Sequence, residues 1–132
     1  MDKLYFKEYY HLERKNWWFT IRRKILSERI HHLLQGPKNI YSLNVGAATG
    51  TTSDMLTGLG RVMSVEYDED CCRFTQTFLT TPVIQGTITD LPFEEGSFDL
   101  VCAIDGIQHV AHDTKAEDEL YRDCKPGGYI AL

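Results

Sequence analysis

No stretch of this 132-residue chain approaches the roughly 20 consecutive apolar residues that a helix needs to cross a bilayer. Its opening, Met1-Asp2-Lys3-Leu4-Tyr5, lacks the apolar core and small-residue cleavage site of a secretory signal. A soluble, cytoplasmic protein is therefore expected. The four cysteines, Cys71, Cys72, Cys102 and Cys124, include no Cys-x-x-Cys pair, so neither a zinc knuckle nor a redox dithiol is suggested. They read as reduced, mostly buried small hydrophobes. Low-complexity tracts, repeats and interdomain linkers are also missing, and the length suits one domain around one core.

Charge is scarce in balance rather than in amount. The net charge is −5, but residues 1–40 hold nine Lys/Arg against four Asp/Glu, a local +5. Residues 41–132 hold five against fifteen, a local −10. A basic leader on an acidic body fits either an anionic partner for the leader or two halves of one domain attracting each other. There is no basic stripe with interleaved aromatics, so a nucleic-acid partner is not expected.

The chain does alternate between two periodicities. Residues 18–35 place apolar side chains at 18, 21, 25, 26, 30, 33 and 34, a helical spacing stopped by Gly36-Pro37. A β-prone run, Asn39 to Val45, ends at Gly46, and Thr51, Thr52 or Ser53 is placed to cap a following helix to about Leu59. Strand 61–65, helix 68–78, strand 82–85 and the very apolar strand 97–104 follow. A helix capped by Asp113 or Thr114 then runs to about Cys124, and Lys125-Pro-Gly-Gly128 turns into a last strand from Tyr129. Such alternation predicts a doubly wound, mostly parallel α/β sheet.

Two features mark where a ligand would sit. Gly46-Ala47-Ala48-Thr49-Gly50 follows the first strand, and open α/β sheets bind ligands at strand carboxyl ends. The spacing is not G-x-G-x-x-G, because Ala48 and Thr51 stand where the later glycines would fall. Glu66, twenty positions after Gly46, ends the second strand, where a carboxylate can accept hydrogen bonds from both hydroxyls of an adenosine ribose. Nicotinamide-dinucleotide binding would fit Glu66 but not the glycine spacing.

Further motifs make the pattern specific. Asp90-Leu91-Pro92-Phe93, Phe98-Asp99-Leu100-Val101, Ile107-Gln108-His109-Val110 and Cys124-Lys125-Pro126-Gly127-Gly128 follow in order. Together with the glycine loop and Glu66, the set over about residues 39–132 resembles the class I, Rossmann-like methyltransferases dependent on S-adenosylmethionine, in the branch acting mainly on small molecules. The resemblance implies a three-layer α/β/α sandwich with strand order 3-2-1-4-5, cut short after strand five. It implies a core over 39–132 and a helical lid segment over 1–38, within a single S-adenosylmethionine-binding domain.

By that resemblance S-adenosylmethionine is the cofactor and S-adenosylhomocysteine its product. Asn44 and Gly46, Ala47, Ala48 and Gly50 would hold the methionine portion. Glu66 would hold the ribose, with Tyr67 near the adenine, Asp90 on the adenine amine and Leu91 flanking the ring. Ala103 to Asp105 would line the methyl-transfer side, with His109 as a catalytic pocket residue. Tyr9-Tyr10-His11-Leu12-Glu13 with Asn16-Trp17-Trp18-Phe19 and Arg22-Arg23 also resembles the amino-terminal helix of a subset of the family. Two roles stay open for this segment, a cofactor or substrate lid and plain packing on the sheet.

Three departures from the family pattern stand out. Asn44 replaces an acid, Ala48 replaces the middle glycine, and the later strands are missing, which would leave strand five an exposed edge open to homodimer pairing. The first two weaken cofactor binding by about 1 kcal/mol each, the worth of a hydrogen bond. Asp105, His109 and His112 lie at helical spacings that could gather a metal, but without a third strong ligand no metal is expected. No Asn/Asp-Pro-Pro-aromatic tetrapeptide stands at Ile104-Asp105-Gly106-Ile107, which argues against DNA bases as acceptors. The expected activity is methyl transfer to a small molecule, without a membrane partner. The alternative is a non-catalytic module that binds the cofactor, its product or a partner protein.

Overall fold

A computed structural model describes residues 3–35, 39–104 and 114–132. Five parallel strands form one sheet: β1 (Ile40–Val45), β2 (Gly60–Glu66), β3 (Val83–Gln85), β4 (Phe98–Cys102) and β5 (Cys124–Ala131), ordered β3-β2-β1-β4-β5. The helices are α1 (Lys3–Lys15), α2 (Trp17–Leu33), α3 (Thr51–Leu56, extended by a 3₁₀ turn to Leu59), α4 (Glu69–Gln76) and α5 (Thr114–Asp123). The expected order is therefore observed. No helix among the described residues is long and apolar enough to cross a membrane.

Pleating sorts the strand residues into two layers, as a sheet covered on both faces requires. Leu43, Val45, Val65, Val101 and Ala103 pack with Ala116 and Leu120 of α5. Ile40, Val62, Leu100 and Cys102 pack on the other face against Leu56, Leu59 and α2 residue Ile30. Fully burying aliphatic side chains of this size contributes about 1.5–3 kcal/mol apiece, so these two layers hold the strand ends in place. The four cysteines are free thiols, three of them buried. Burial pushes the Cys102 thiol up to about 12, and burial with the nearby Glu66 and Asp68 charges does the same for Cys71. Neither is a nucleophile at neutral pH.

The F-D-x-V and K-P-G-G motifs hold the amino-terminal end of the sheet together. Asp99 Oδ2 accepts from the Tyr41 amide at 2.9 Å, and Lys125 Nζ lies 3.3 Å from Oδ1. Pairing of β4 with β5 jumps from Phe98–Cys124 to Leu100–Tyr129, so residues 125–128 bulge out. A Cβ on Gly128 would lie 2.7 Å from the Asp99 carbonyl oxygen, which leaves room only for glycine.

Two local expectations are corrected. The helix after the glycine loop takes Gly50 as its N-cap, at φ 87°, with no side-chain cap. Thr51 Oγ1 is drawn instead to a carboxylate of α1. And a separate helix, α1, precedes α2, joined at Asn16, whose side chain accepts from the Trp18 amide at 2.9 Å and caps α2.

Candidate cofactor site

Strand order reverses between β1 and β4, and the loop after β1 lies at the carboxyl ends of both, the crevice where this fold class binds ligands. The loop is pinned from three sides. Gly46 and Ala47 amides both donate to Val65 O, at 2.9 and 3.0 Å. Thr75 Oγ1 of α4 donates to Ala48 O at 2.7 Å. Arg14 Nη2 of α1 donates to Thr49 O at 2.9 Å. Gly46, Ala48 and Gly50 all have positive φ, 78°, 47° and 87°. Gly50 at φ 87° holds a left-handed conformation that favours glycine, and a Cβ there would press on a terminal methyl of Leu79.

Glu66 ends β2 buried beside this loop. Its Oε1 accepts from the Ala48 amide at 2.9 Å, and its Oε2 from the Asp68 amide at 2.8 Å. Two backbone donors fix the carboxylate and use about half of its roughly four acceptor positions. The remaining lone pairs suit two neighbouring hydroxyls, so the donor set fits the ribose of S-adenosylmethionine. Tyr67 follows, exposed. Asp90 is also exposed, in the segment after β3 whose Gly86 amide donates to Glu66 O at 3.0 Å. Leu91 is buried in the core, its amide donating to Glu119 at 2.6 Å and its carbonyl accepting from Arg122 at 2.8 Å. Ala103 is buried just past β4.

Asn44 is buried and donates from Nδ2 to Ser53 Oγ at 2.9 Å, and Ser53 Oγ lies 2.7 Å from Ser64 Oγ. This hydroxyl chain ties β1, β2 and α3 together. Neither Ser53 nor Ser64 stands in a sequence pattern that points to this role. Asp105, His109 and His112 lie outside the described residues.

The leader reaches the loop through Glu13 and Arg14, neither of which has an individual role in the sequence analysis. Glu13, only 2% exposed, accepts from Thr49 Oγ1 and, at 2.5 Å, from Thr51 Oγ1. Arg14 also lies 3.3 Å from Thr49 Oγ1 and stacks over the Tyr10 ring at 3.7 Å. Phe6 and Tyr10 seat α1 on Phe74 of α4 and on Phe78 just past its end. The signal was available: Phe6, Tyr10 and Glu13 recur at i, i+4 and i+7. Arg23 donates to the Glu13 carbonyl, and burial lowers its pKa. A cavity of about 460 Å³ is lined by Arg14, Arg23, Lys24, Thr51 and Asp54 among others. Trp17 and Trp18 stack edge-on at 6.2 Å and face solvent, and Arg22 lies over Phe19 at 5.2 Å.

Residues 43–132 match the family described as "Methyltransferase domain". The chain belongs to that family, whose cofactor is S-adenosylmethionine. It is 34% identical over 95 residues to a demethylmenaquinone methyltransferase of Clavibacter sepedonicus, covering 68% of this chain and 39% of that one. It is 36% identical over 134 residues to a ubiquinone/menaquinone biosynthesis C-methyltransferase of Hydrogenovibrio crunogenus, covering 86% and 52%. The chain thus spans about half or less of each relative's length. A structure from Methanococcus maripaludis, described as an S-adenosyl-L-methionine-dependent methyltransferase, superposes with TM-score 0.84 at 18% identity. It covers 98% of this chain and 63% of that chain, a likeness of fold.

Proposed function

We propose that this chain forms the cofactor-binding part of an enzyme that transfers a methyl group from S-adenosylmethionine to a small organic acceptor. The observation that carries this reading is Glu66, held by two backbone amides beside the glycine loop with acceptor capacity to spare. In this reading Gly46, Ala47, Ala48 and Gly50 face the methionine portion, Asn44 supports them from β1, and Tyr67, Asp90 and Leu91 surround the adenine. Ala103 and Asp105 border the transfer side.

When bound, the cofactor supplies an already activated methyl group, so the protein's task is mainly positioning. The loop is set for that beforehand by Val65, Thr75 and Arg14. His109 is the residue we assign as a base on the acceptor side. The test is whether His109→Ala stops turnover while sparing cofactor binding. Arg22, Arg23, Trp17 and Trp18 are assigned to the leader that covers this end, with Arg23 nearest the loop through Glu13. Two relatives are named for quinone methylation, so demethylmenaquinone-type rings are the first acceptors to assay. We further place the protein in the cytoplasm, with no nucleic-acid partner, and propose that a homodimer forms along the outer edge of β5.

Asn44 and Ala48 favour a second reading, a domain that binds the cofactor or its product without catalysis. Titration calorimetry with S-adenosylmethionine, S-adenosylhomocysteine and NAD tests both readings. Micromolar binding of the adenosyl ligands, no binding of NAD, and loss in Glu66→Ala support the cofactor site. Binding without turnover of any acceptor would support the second reading, and no binding by folded protein would overturn both.

A further inference from the structure

Helix α2 has two apolar faces, and the fold covers one. Ile30 and Leu26 turn inward onto the sheet layer formed by Ile40, Leu56, Val62 and Leu100. On the opposite side Trp17, Ile21 and Ile25 recur every four residues, with Trp18 alongside. They are 69%, 45%, 56% and 55% exposed in the order Trp17, Ile21, Ile25, Trp18. Large side chains at that spacing form a continuous stripe, and an exposed stripe of this kind marks a contact surface.

Charge says which contact. By the helical step, exposed Lys24 borders one side of the stripe, Arg22 and exposed Arg29 border the other, and exposed Glu28 is the one acid on this face, at its carboxyl-terminal end. The stripe also belongs to the leader that carries a local +5, while the remainder of the chain carries −10. A second copy docking face to face would set one basic leader against another. An anionic surface instead attracts this end and repels the body, which orients the molecule stripe-first. Tryptophan beside aliphatic residues, rimmed by lysine and arginine, is the composition of a helix lying in a lipid interface.

We propose that the outer face of α2 docks the protein on membranes rich in anionic lipid, with Trp17, Trp18, Ile21 and Ile25 entering the headgroup layer and Arg22, Lys24 and Arg29 meeting lipid phosphates. This departs from the expectation of no membrane partner, which rested on the lack of a spanning segment. Lying on a bilayer needs no such segment. The proposal does not depend on the cofactor reading.

Trp17 and Trp18 are the chain's two tryptophans, so intrinsic fluorescence reports this face directly. Adding vesicles of phosphatidylglycerol and phosphatidylcholine should shift emission to the blue, expose it to quenching by brominated lipid, and carry the protein into the vesicle pellet. Pure phosphatidylcholine should bind at least about tenfold more weakly, as should the mixed vesicles in high salt. Ile21→Ser/Ile25→Ser keeps both reporters and should lower affinity for mixed vesicles by about tenfold or more. Arg22→Glu/Arg29→Glu should do likewise, with circular dichroism confirming that each variant is folded. Absence of pelleting and of a spectral shift in folded wild-type protein would overturn the proposal. So would a blue shift that follows protein concentration without vesicles, which would assign the face to a second copy.

Discussion

The two ends of the sheet treat buried charge in opposite ways. At the carboxyl ends, Glu66 and Glu13 are buried with donors arranged around them: two amides for one, two threonine hydroxyls for the other. At the amino-terminal end, Asp123 closes α5 with no solvent access, and neither carboxylate oxygen has a hydrogen bond among the described residues. Arg122 comes within 3.1 Å of Oδ1 but without hydrogen-bond alignment, so it forms a close ion pair only. Burial therefore pushes the Asp123 carboxyl up to about 6, with Arg122 opposing. A cavity of about 690 Å³ opens at this same end, lined by Glu95, Tyr121, Arg122, Lys125 and Gly128 among others. It is roomier than the cavity beside Arg14 and Arg23, yet among the described residues its lining lacks the fixed acceptors found at the carboxyl ends. Arrangement of donors and acceptors, rather than volume, is the ground for proposing the ligand at the carboxyl ends.

The largest way to break this contrast is Glu66→Ala. It orphans the Ala48 and Asp68 amides, and at about 1–3 kcal/mol for each unsatisfied buried group we expect a loss of about 3 kcal/mol in urea unfolding, besides lost cofactor binding. Glu66→Gln, which keeps an acceptor oxygen, should recover part of that stability. Next comes Glu13→Ala, which removes the carboxylate that accepts from the Thr49 and Thr51 hydroxyls and leaves Arg14 as the remaining tie of α1 to Thr49. About 2 kcal/mol is expected, with hydrogen exchange accelerated over 46–50 and along α1.

Asp123→Asn acts at the other end and has a distinct signature. Because the folded carboxyl titrates near 6 rather than near 3.8, the folded state holds the proton more tightly. Stability from this group is thus greatest below the unfolded value and falls as pH rises from about 4 to about 6. Two units correspond to at most about 3 kcal/mol, and Asn should flatten a fall of about 1–2 kcal/mol in that window, read from denaturant midpoints across pH.

The smallest effect is expected from Ala48→Gly. An alanine at φ 47° carries left-handed strain of about 1–2 kcal/mol. Glycine relieves this strain but adds unfolded-chain entropy, so a net gain of about 0.5 kcal/mol in thermal stability is expected. Cofactor affinity should also rise, since the extra methyl is gone.

Strand order and the placement of Glu66 were legible because they depend on local pattern: alternating periodicities, small residues after a strand, and an acid at the end of the next. What the pattern hid was long-range pairing. α1 escaped because its inward face combines Phe6 and Tyr10 with a carboxylate, Glu13, whose threonine partners lie 36 and 38 positions away. The threonines looked like caps for α3 for the same reason: a hydroxyl beside a helix start is a cap only if no better acceptor reaches it. The clamp of Glu119 and Arg122 of α5 on the backbone of buried Leu91 was hidden too, because those partners lie 28 and 31 positions further on. Of the two roles open for Trp17 and Trp18, packing on the sheet is not the one observed, since both face outward.

The contrast between the two ends is tested most directly by amide chemical shifts of isotope-labelled protein titrated with S-adenosylhomocysteine. Shifts concentrated at Gly46, Ala48, Gly50 and Asp68, with Gly96, Gly127 and Gly128 unmoved, are the predicted result. Shifts centred on Gly96, Gly127 and Gly128 instead would move the ligand to the opposite cavity and contradict the account.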